Sequence, residues 1–133
     1  MTITKLRKLI IILFCFTASM GIAKEYIVYS IVQNISMGHP GEEIKKNYYI
    51  NMGQKQGVQR GAQLNVFRTL SRLDPYQTKK RYSYQVKIGE IEVLHSQDNS
   101  SIGRLVSMNL DGKEPLIEIE GVMIGDQVGV KIK

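Results

Sequence analysis

The stretch RYSYQVKIGEIEVLH, residues 81–95, decides the fold class. Along it apolar and polar side chains alternate with a period of two, which is typical of a β-strand with one covered face. The apolar positions are even up to Ile88, whereas Ile91 and Val93 occupy odd positions. Because a slip of one residue turns the apolar side chains to the opposite face, we expect a β-bulge or sharp bend at Gly89. Such a bend lets one long strand serve two sheets or turn the corner of a small barrel.

The chain on either side of this stretch repeats the alternation between clusters of turn residues. Strands are predicted at residues 26–37, 47–52, 62–70, 81–95, 100–108, 116–119 and 127–133. No segment among them has convincing helical periodicity. We therefore predict an all-β domain, a small antiparallel barrel or compact sandwich of about seven strands, SH3-like or related.

Glycines mark the predicted turns. The structural turns are predicted at Gly53, Gly57, Gly61, Gly89, Gly125 and Asp126. We interpret residues 53–61 as two tight turns with Val58 pointing inward, and the Gly-Asp pair as an Asx-type turn before the last strand. Residues 53–61 lack the Gly-Lys-Ser/Thr ending of a phosphate-binding loop.

The first 23 residues have the order of a secretory signal peptide. Basic residues precede a short apolar run, and small residues at Gly21 and Ala23 precede the polar Lys24. The run is shorter than the roughly 20 residues that a membrane-spanning helix needs. We predict a signal peptide over residues 1–23, cleaved after Ala23, and a single β-rich domain over residues 24–133 in the periplasm. A membrane-held adaptor with an uncleaved N-terminal anchor is the alternative, and membrane contact is expected only through that segment.

The composition of the exported part limits its chemistry. The only cysteine of the chain, Cys15, lies in the signal segment, so neither a disulfide nor a thiolate zinc site is available to the exported domain. Without the basic residues of the signal segment the formal charge falls from +6 to about +3. That charge is ordinary for a soluble domain, and we expect no nucleic-acid partner.

Side chains suited to catalysis are few and poorly arranged. His95, Ser96 and Asp98 are near neighbours at a strand end, where successive side chains point in opposite directions and cannot form a triad. Glu90 and Glu92 share a solvent face, and we expect them to form cross-strand pairs with lysine or arginine. We predict no enzymatic activity, no metal site and no cofactor. A small envelope hydrolase or metal-dependent enzyme is the alternative.

Four segments of the chain, taken in order, carry a family resemblance. They are YINMG with the glycines at 57 and 61, LNVF with the later Asp74-Pro75, IGEIEV at 88–93, and GDQV at 125–128. Over residues 48–130 the chain resembles the C-terminal domain of flagellar assembly protein T. Full-length members of that family surround the flagellar basal body in the periplasm, in a ring that helps to hold motor components. The resemblance therefore implies a small barrel with a periplasmic scaffold role.

Basic and aromatic residues bracket the Asp74-Pro75 loop. The candidate partner-binding patch consists of Arg68, Arg72, Tyr76, Lys79, Lys80 and Arg81. If the flanking strands pair as a hairpin, these residues gather at one end, where they can bind an acidic protein, an envelope polymer or anionic head groups. A solvated hairpin tip, with Tyr82 and Tyr84 packed in the core, is the alternative. We predict a non-catalytic periplasmic binding or scaffold domain with an envelope protein partner, associated with the flagellar basal body or another envelope assembly.

Overall fold

A computed structural model of the chain describes residues 2–5, 7–8, 24–109, 113 and 115–132. The described part contains six strands, β1 (Val28–Gln33), β2 (Lys46–Ile50), β3 (Gln63–Leu73), β4 (Arg81–Ser96), β5 (Ser101–Met108) and β6 (Gln127–Val130). They form one antiparallel sheet in the order β1-β2-β5-β4-β3-β6. The all-β prediction is confirmed.

The segment predicted as a signal peptide lies mostly outside the described residues, and so does the expected cleavage site at Ala23. Residues 2–5 and 7–8 are helical. No helix among the described residues is long and apolar enough to cross a membrane.

The two edges of the sheet meet along a short bridge. Ile27 pairs with Gln127 in antiparallel orientation. The Val28 N–H donates to the Asp126 carbonyl at 2.9 Å, and the Gly125 N–H donates to the Val28 carbonyl at 2.8 Å. The six strands therefore form a single sheet whose edges touch, rather than the two facing sheets of a sandwich.

The long strand β4 bends where the apolar pattern slips. Opposite β3, the partner of Val66 is Gly89, but the partner of Phe67 is Lys87. Ile88 is therefore the extra residue of a bulge. A Cβ atom at Gly89 would lie 2.4 Å from a carbonyl oxygen of β5, so this strand approach requires glycine. The bulge predicted at this position is confirmed.

The core is one cluster of mainly aliphatic side chains inside the curled sheet. Its buried members are Val28, Tyr48, Ile50, Met52, Val58, Leu64, Val66, Ile88, Ile91, Val93, Val122 and Val128. Val58 is 0% exposed between the turns at Gly57 and Gly61, both of which have positive φ. The inward orientation predicted for Val58 is confirmed.

Two predicted strands end earlier than expected, and one predicted strand does not form. The first strand ends at Gln33, because residues 34–45 form a loop, and the last strand ends at Val130. Residues 116–119 form no strand, since the Ile119 carbonyl accepts from the Arg68 side chain at 2.6 Å instead of from a neighbouring strand.

The hairpin of β3 and β4 extends beyond the rest of the sheet. β6 pairs with β3 only over residues 64–67, and β5 pairs with β4 only from Gly89 to Ser96. Past these points the two strands continue alone to Leu73 and Arg81. We call residues 69–85 the arm. The hairpin predicted across Asp74-Pro75 is confirmed.

Candidate partner-binding surface

The loop at the tip of the arm is held by its own polar groups. The Asp74 carboxylate accepts from the Tyr76 N–H at 2.9 Å and from the Gln77 N–H at 3.3 Å. The Asp74 N–H donates to the Lys80 carbonyl at 2.9 Å. The one acidic side chain of the arm therefore shapes the loop, as an Asx turn does.

Five of the six predicted patch residues lie in the arm. They are Arg72, Tyr76, Lys79, Lys80 and Arg81, and all are exposed. Lys80 Nζ lies 5.0 Å from the centre of the Tyr82 ring, within cation–π range. Arg81 Nη1 donates to Ser71 Oγ at 3.1 Å. Cations and aromatic rings therefore adjoin each other on one exposed hairpin.

The two faces of the arm differ in chemistry. Leu70 pairs with Tyr84 and Arg72 with Tyr82, so these four side chains share one face. The opposite face consists mainly of serine, threonine and glutamine. Tyr82 is 40% exposed and Tyr84 is 56% exposed. The expectation that these tyrosines pack in the core is wrong, because β5 and β6 end before they could cover the arm.

Arg68 is not part of this surface, and its assignment to the patch is wrong. Its Nε and Nη2 atoms donate to the two carboxylate oxygens of Asp126 at 2.8 and 2.7 Å. Its remaining hydrogen bonds go to the Ile119 and Gly121 carbonyls at 2.6 and 2.7 Å. Asp126 is 2% exposed and also accepts from the Met123 N–H at 2.8 Å. Arg68 and Asp126 thus form a buried bidentate pair that fastens residues 119–126 to β3.

Sequence reasoning treated Asp126 as a turn residue and missed this pair. Arg68 has the same strand parity as Leu64 and Val66, whose side chains face the core. An arginine at an inward position needs a carboxylate or several carbonyl partners. The alternation of side chains along the strand therefore indicates that Arg68 points inward. It does not identify Asp126, 58 positions away, as the partner.

Both acidic residues of β4 form ion pairs, but only Glu92 pairs with a neighbouring strand as predicted, whereas Glu90 pairs with Lys87 of its own strand and with Lys131 beyond β6. Glu90 lies 2.8 Å from Lys87 and 3.0 Å from Lys131, and Glu92 lies 3.1 Å from Arg104. Hydrogen bonds from Lys87 and then Lys131 lower the pKa of Glu90 below its ordinary value. These carboxylates are therefore neutralised by lysine and arginine. Within the described ranges, no three His, Cys, Asp or Glu side chains lie close enough together to hold a metal ion.

The fold and the arm define a class, a small all-β domain that displays a basic, aromatic hairpin. A model of the family described as flagellar assembly protein T, C-terminal domain, matches residues 45–112, just over half of the chain. The chain belongs to this family, as its motifs predicted. The match runs from just before β2 to just after β5, so it includes the whole arm and leaves β1 and β6 outside. No match was found among curated proteins.

Proposed function

We propose that this protein is a non-catalytic scaffold domain of the flagellar basal body, exported to the periplasm, which binds an acidic envelope protein through its arm. The observation that carries the flagellar assignment is the family match over residues 45–112. The N-terminal order of basic residues, apolar run and small residues supports export.

The charge of the arm supports an acidic partner. The arm carries Arg72, Lys79, Lys80 and Arg81 against one carboxylate of its own, that of Asp74, and one neighbouring carboxylate, that of Glu118 beside Arg72. Opposite potentials on two surfaces speed their encounter and suppress wrong partners. The basic charge of the arm therefore favours an acidic partner.

Exposed tyrosines supply contact area on the same hairpin. Tyr76 is 95% exposed, and Tyr82 and Tyr84 are about half exposed. Tyrosine and arginine are the residues most enriched among those that dominate binding energy. These rings contribute little to the core, so their exposure is explained best by a partner that covers them.

Charge reversal of the arm tests the proposal in cells. In the triple variant Lys79→Glu, Lys80→Glu, Arg81→Glu, we expect loss of co-isolation with purified basal bodies and loss of swimming. The matched control is Lys46→Glu, Lys55→Glu, Arg60→Glu, which changes the net charge equally at exposed positions outside the arm. Co-isolation of both variants at the wild-type level would refute the role of the arm. Normal swimming and intact basal bodies after deletion of the gene would refute the flagellar role.

Export is tested separately. The proposal places Lys24 at the N-terminus of the mature protein, which mass spectrometry of the protein isolated from the envelope measures directly. A chain that begins at Met1 in that fraction would instead support the uncleaved, membrane-held form.

A further inference from the structure

The outer surface of the sheet carries a hollow of about 200 Å³ at the end opposite the arm. Its principal lining residues are Tyr29, Tyr49, His95, Gln97, Ser100 and Ile102. Strand register explains how they meet, since Tyr49 lies opposite Ile102 and Ile102 lies opposite His95. These three side chains therefore form one row across β2, β5 and β4.

A backbone irregularity brings a second aromatic ring to this row. The pairing of β1 with β2 shifts between Val28 and Ser30, which leaves Tyr29 at the irregularity. Its ring centre lies 6.3 Å from that of Tyr49, with the ring planes at 62°. Tyr29 is 46% exposed. The two rings form an aromatic wall that faces solvent.

A second, polar hollow adjoins the first hollow, and the two share the lining residues Gln97 and Ser100. Its lining residues are Gln54, Ser96, Gln97, Asp98, Asn99 and Ser100, most of them in the turn between β4 and β5. We call the two hollows together the tyrosine–amide groove. Among the described residues, the side chains of Gln97, Asp98 and Asn99 have no hydrogen-bond partner. Their polar groups are therefore available to a ligand.

Backbone contacts hold this turn in place. The Gln54 N–H donates to the Gln97 carbonyl at 2.8 Å, and the Lys55 N–H donates to the Asp98 carbonyl at 3.0 Å. A Cβ atom at Gly53 would lie 2.1 Å from the same Gln97 carbonyl, so only glycine permits this approach. Because the backbone is fixed by these contacts, the amide side chains project from a preformed rim, which lowers the entropic cost of binding.

The chemistry of the groove indicates the ligand. Its lining has aromatic rings, amides, hydroxyls and an imidazole, but only one carboxylate and no lysine or arginine. Sites for small ligands combine apolar surface with a few polar groups that fix orientation. Aromatic faces complement the C–H faces of a sugar ring, and amides complement its hydroxyls as donors and acceptors. We propose that the tyrosine–amide groove binds a neutral saccharide chain, independently of the arm and of the flagellar role.

Titration with defined oligosaccharides tests this proposal. The protein, isolated in the form that the cell exports, is titrated with chitotetraose and with cellotetraose and followed by saturation-transfer NMR. We expect saturable binding of at least one of them, weakened about tenfold or more in Tyr49→Ala. Binding of chitotetraose alone would assign recognition to its acetamido groups, and binding of both would assign it to ring faces and hydroxyls.

Two further variants make the result decisive. The double variant Gln97→Ala, Asn99→Ala removes two side chains that have no hydrogen-bond partner among the described residues, so it should fold. It therefore tests the polar side of the groove even if Tyr49→Ala fails to fold. Tyr84→Ala removes an exposed tyrosine of the arm and should leave saccharide binding unchanged. Absence of binding of both saccharides at millimolar concentration would overturn the proposal, as would wild-type affinity in the Gln97/Asn99 variant. Co-isolation with basal bodies should survive the Gln97/Asn99 change, which separates this outcome from the role of the arm.

Discussion

The strands β3 and β4 belong to two regions of different character. Where β6 and β5 pair with them, both strands are covered, with Leu64, Val66, Ile91 and Val93 at most 1% exposed. In the arm the same two strands pair only with each other, and their aromatic side chains face solvent. Burial of apolar area is the main favourable term in folding. Stability should therefore reside mainly where β5 and β6 pair with these two strands, and the arm should contribute less to it.

Two arginines on the same face of β3 give the sharpest contrast and the largest expected effect. Arg68→Ala leaves the Asp126 carboxylate buried without its cation, and we expect a loss of about 3–5 kcal/mol in the free energy of unfolding. Arg72 lies 3.7 Å from Glu118, and both side chains are more than half exposed. Arg72→Ala should therefore cost less than about 1 kcal/mol. Urea unfolding of both variants measures the difference.

A double variant separates the ion pair from the packing of the arginine side chain. Once Arg68 is removed, the further change Asp126→Ala should cost much less than it does in the wild-type background, because the charges are coupled. Additive losses would show that the two residues act independently.

Two glycines give the next largest contrast. A Cβ atom at Gly103 would lie 2.3 Å from Ile91 Cγ2 and 2.9 Å from the Glu92 carbonyl oxygen. Gly103→Ala should therefore lower the free energy of unfolding by about 1–3 kcal/mol. At Gly129 the nearest atom is 3.7 Å away, so Gly129→Ala should change stability little. Equal midpoints for the two variants in thermal unfolding would contradict the close packing of β5 on β4.

The arm should show the reverse balance of effects. Tyr84 is 56% exposed, and we expect Tyr84→Ser to change the free energy of unfolding by less than about 1 kcal/mol. The same change should weaken association with basal bodies, because it removes part of the aromatic face. A large loss in the free energy of unfolding, with association of the folded variant unchanged, would assign Tyr84 to the core instead.

The smallest effect concerns pH and the loop between β1 and β2. The Glu42 carboxylate accepts from the Met37 N–H at 2.8 Å, from the Gly38 N–H at 3.2 Å and from Ser36 Oγ at 3.0 Å. The bond from Met37 is the main cause that lowers the pKa of Glu42 below its ordinary 4.5. The Glu42 carboxylate therefore contributes fully to stability above pH 4.5. This contribution is lost as the pH falls through the lower pKa that Glu42 has in the folded protein.

Amide hydrogen exchange measures how well this loop is ordered. Glu42→Gln should speed exchange of the Met37 and Gly38 amides at neutral pH, whereas the neighbouring Glu43→Gln should not. The difference between wild type and Glu42→Gln should shrink as the solution is acidified. A difference that persists when the carboxylate is protonated would assign the order of the loop to other contacts.

Local pattern predicted the features that depend on one strand or one turn. The parity slip between Ile88 and Ile91 predicted the bulge, and the glycine spacing predicted the turns around Val58. Both follow from side-chain alternation and backbone conformation within a few residues. The family followed from the same turn and strand motifs.

Features that depend on distant segments could not be predicted in this way. Residues 116–119 are predicted to form a strand, but the Ile119 carbonyl bonds to Arg68, which lies about 50 positions earlier. The exposure of Tyr82 and Tyr84 depends on where β5 and β6 end, and alternation within β4 carries no information about its neighbours. The tyrosine–amide groove likewise requires the pairing order of four strands.

Photo-crosslinking from the arm tests the central claim most directly. A photo-crosslinking amino acid in place of Tyr76, which is 95% exposed, is compared with the same amino acid in place of Gln59, an exposed residue outside the arm. We predict that position 76 crosslinks in living cells to an acidic segment of a basal-body protein and that position 59 does not. Equal crosslinking to that protein from both positions, or none from position 76, would contradict the assignment of the arm as the binding surface.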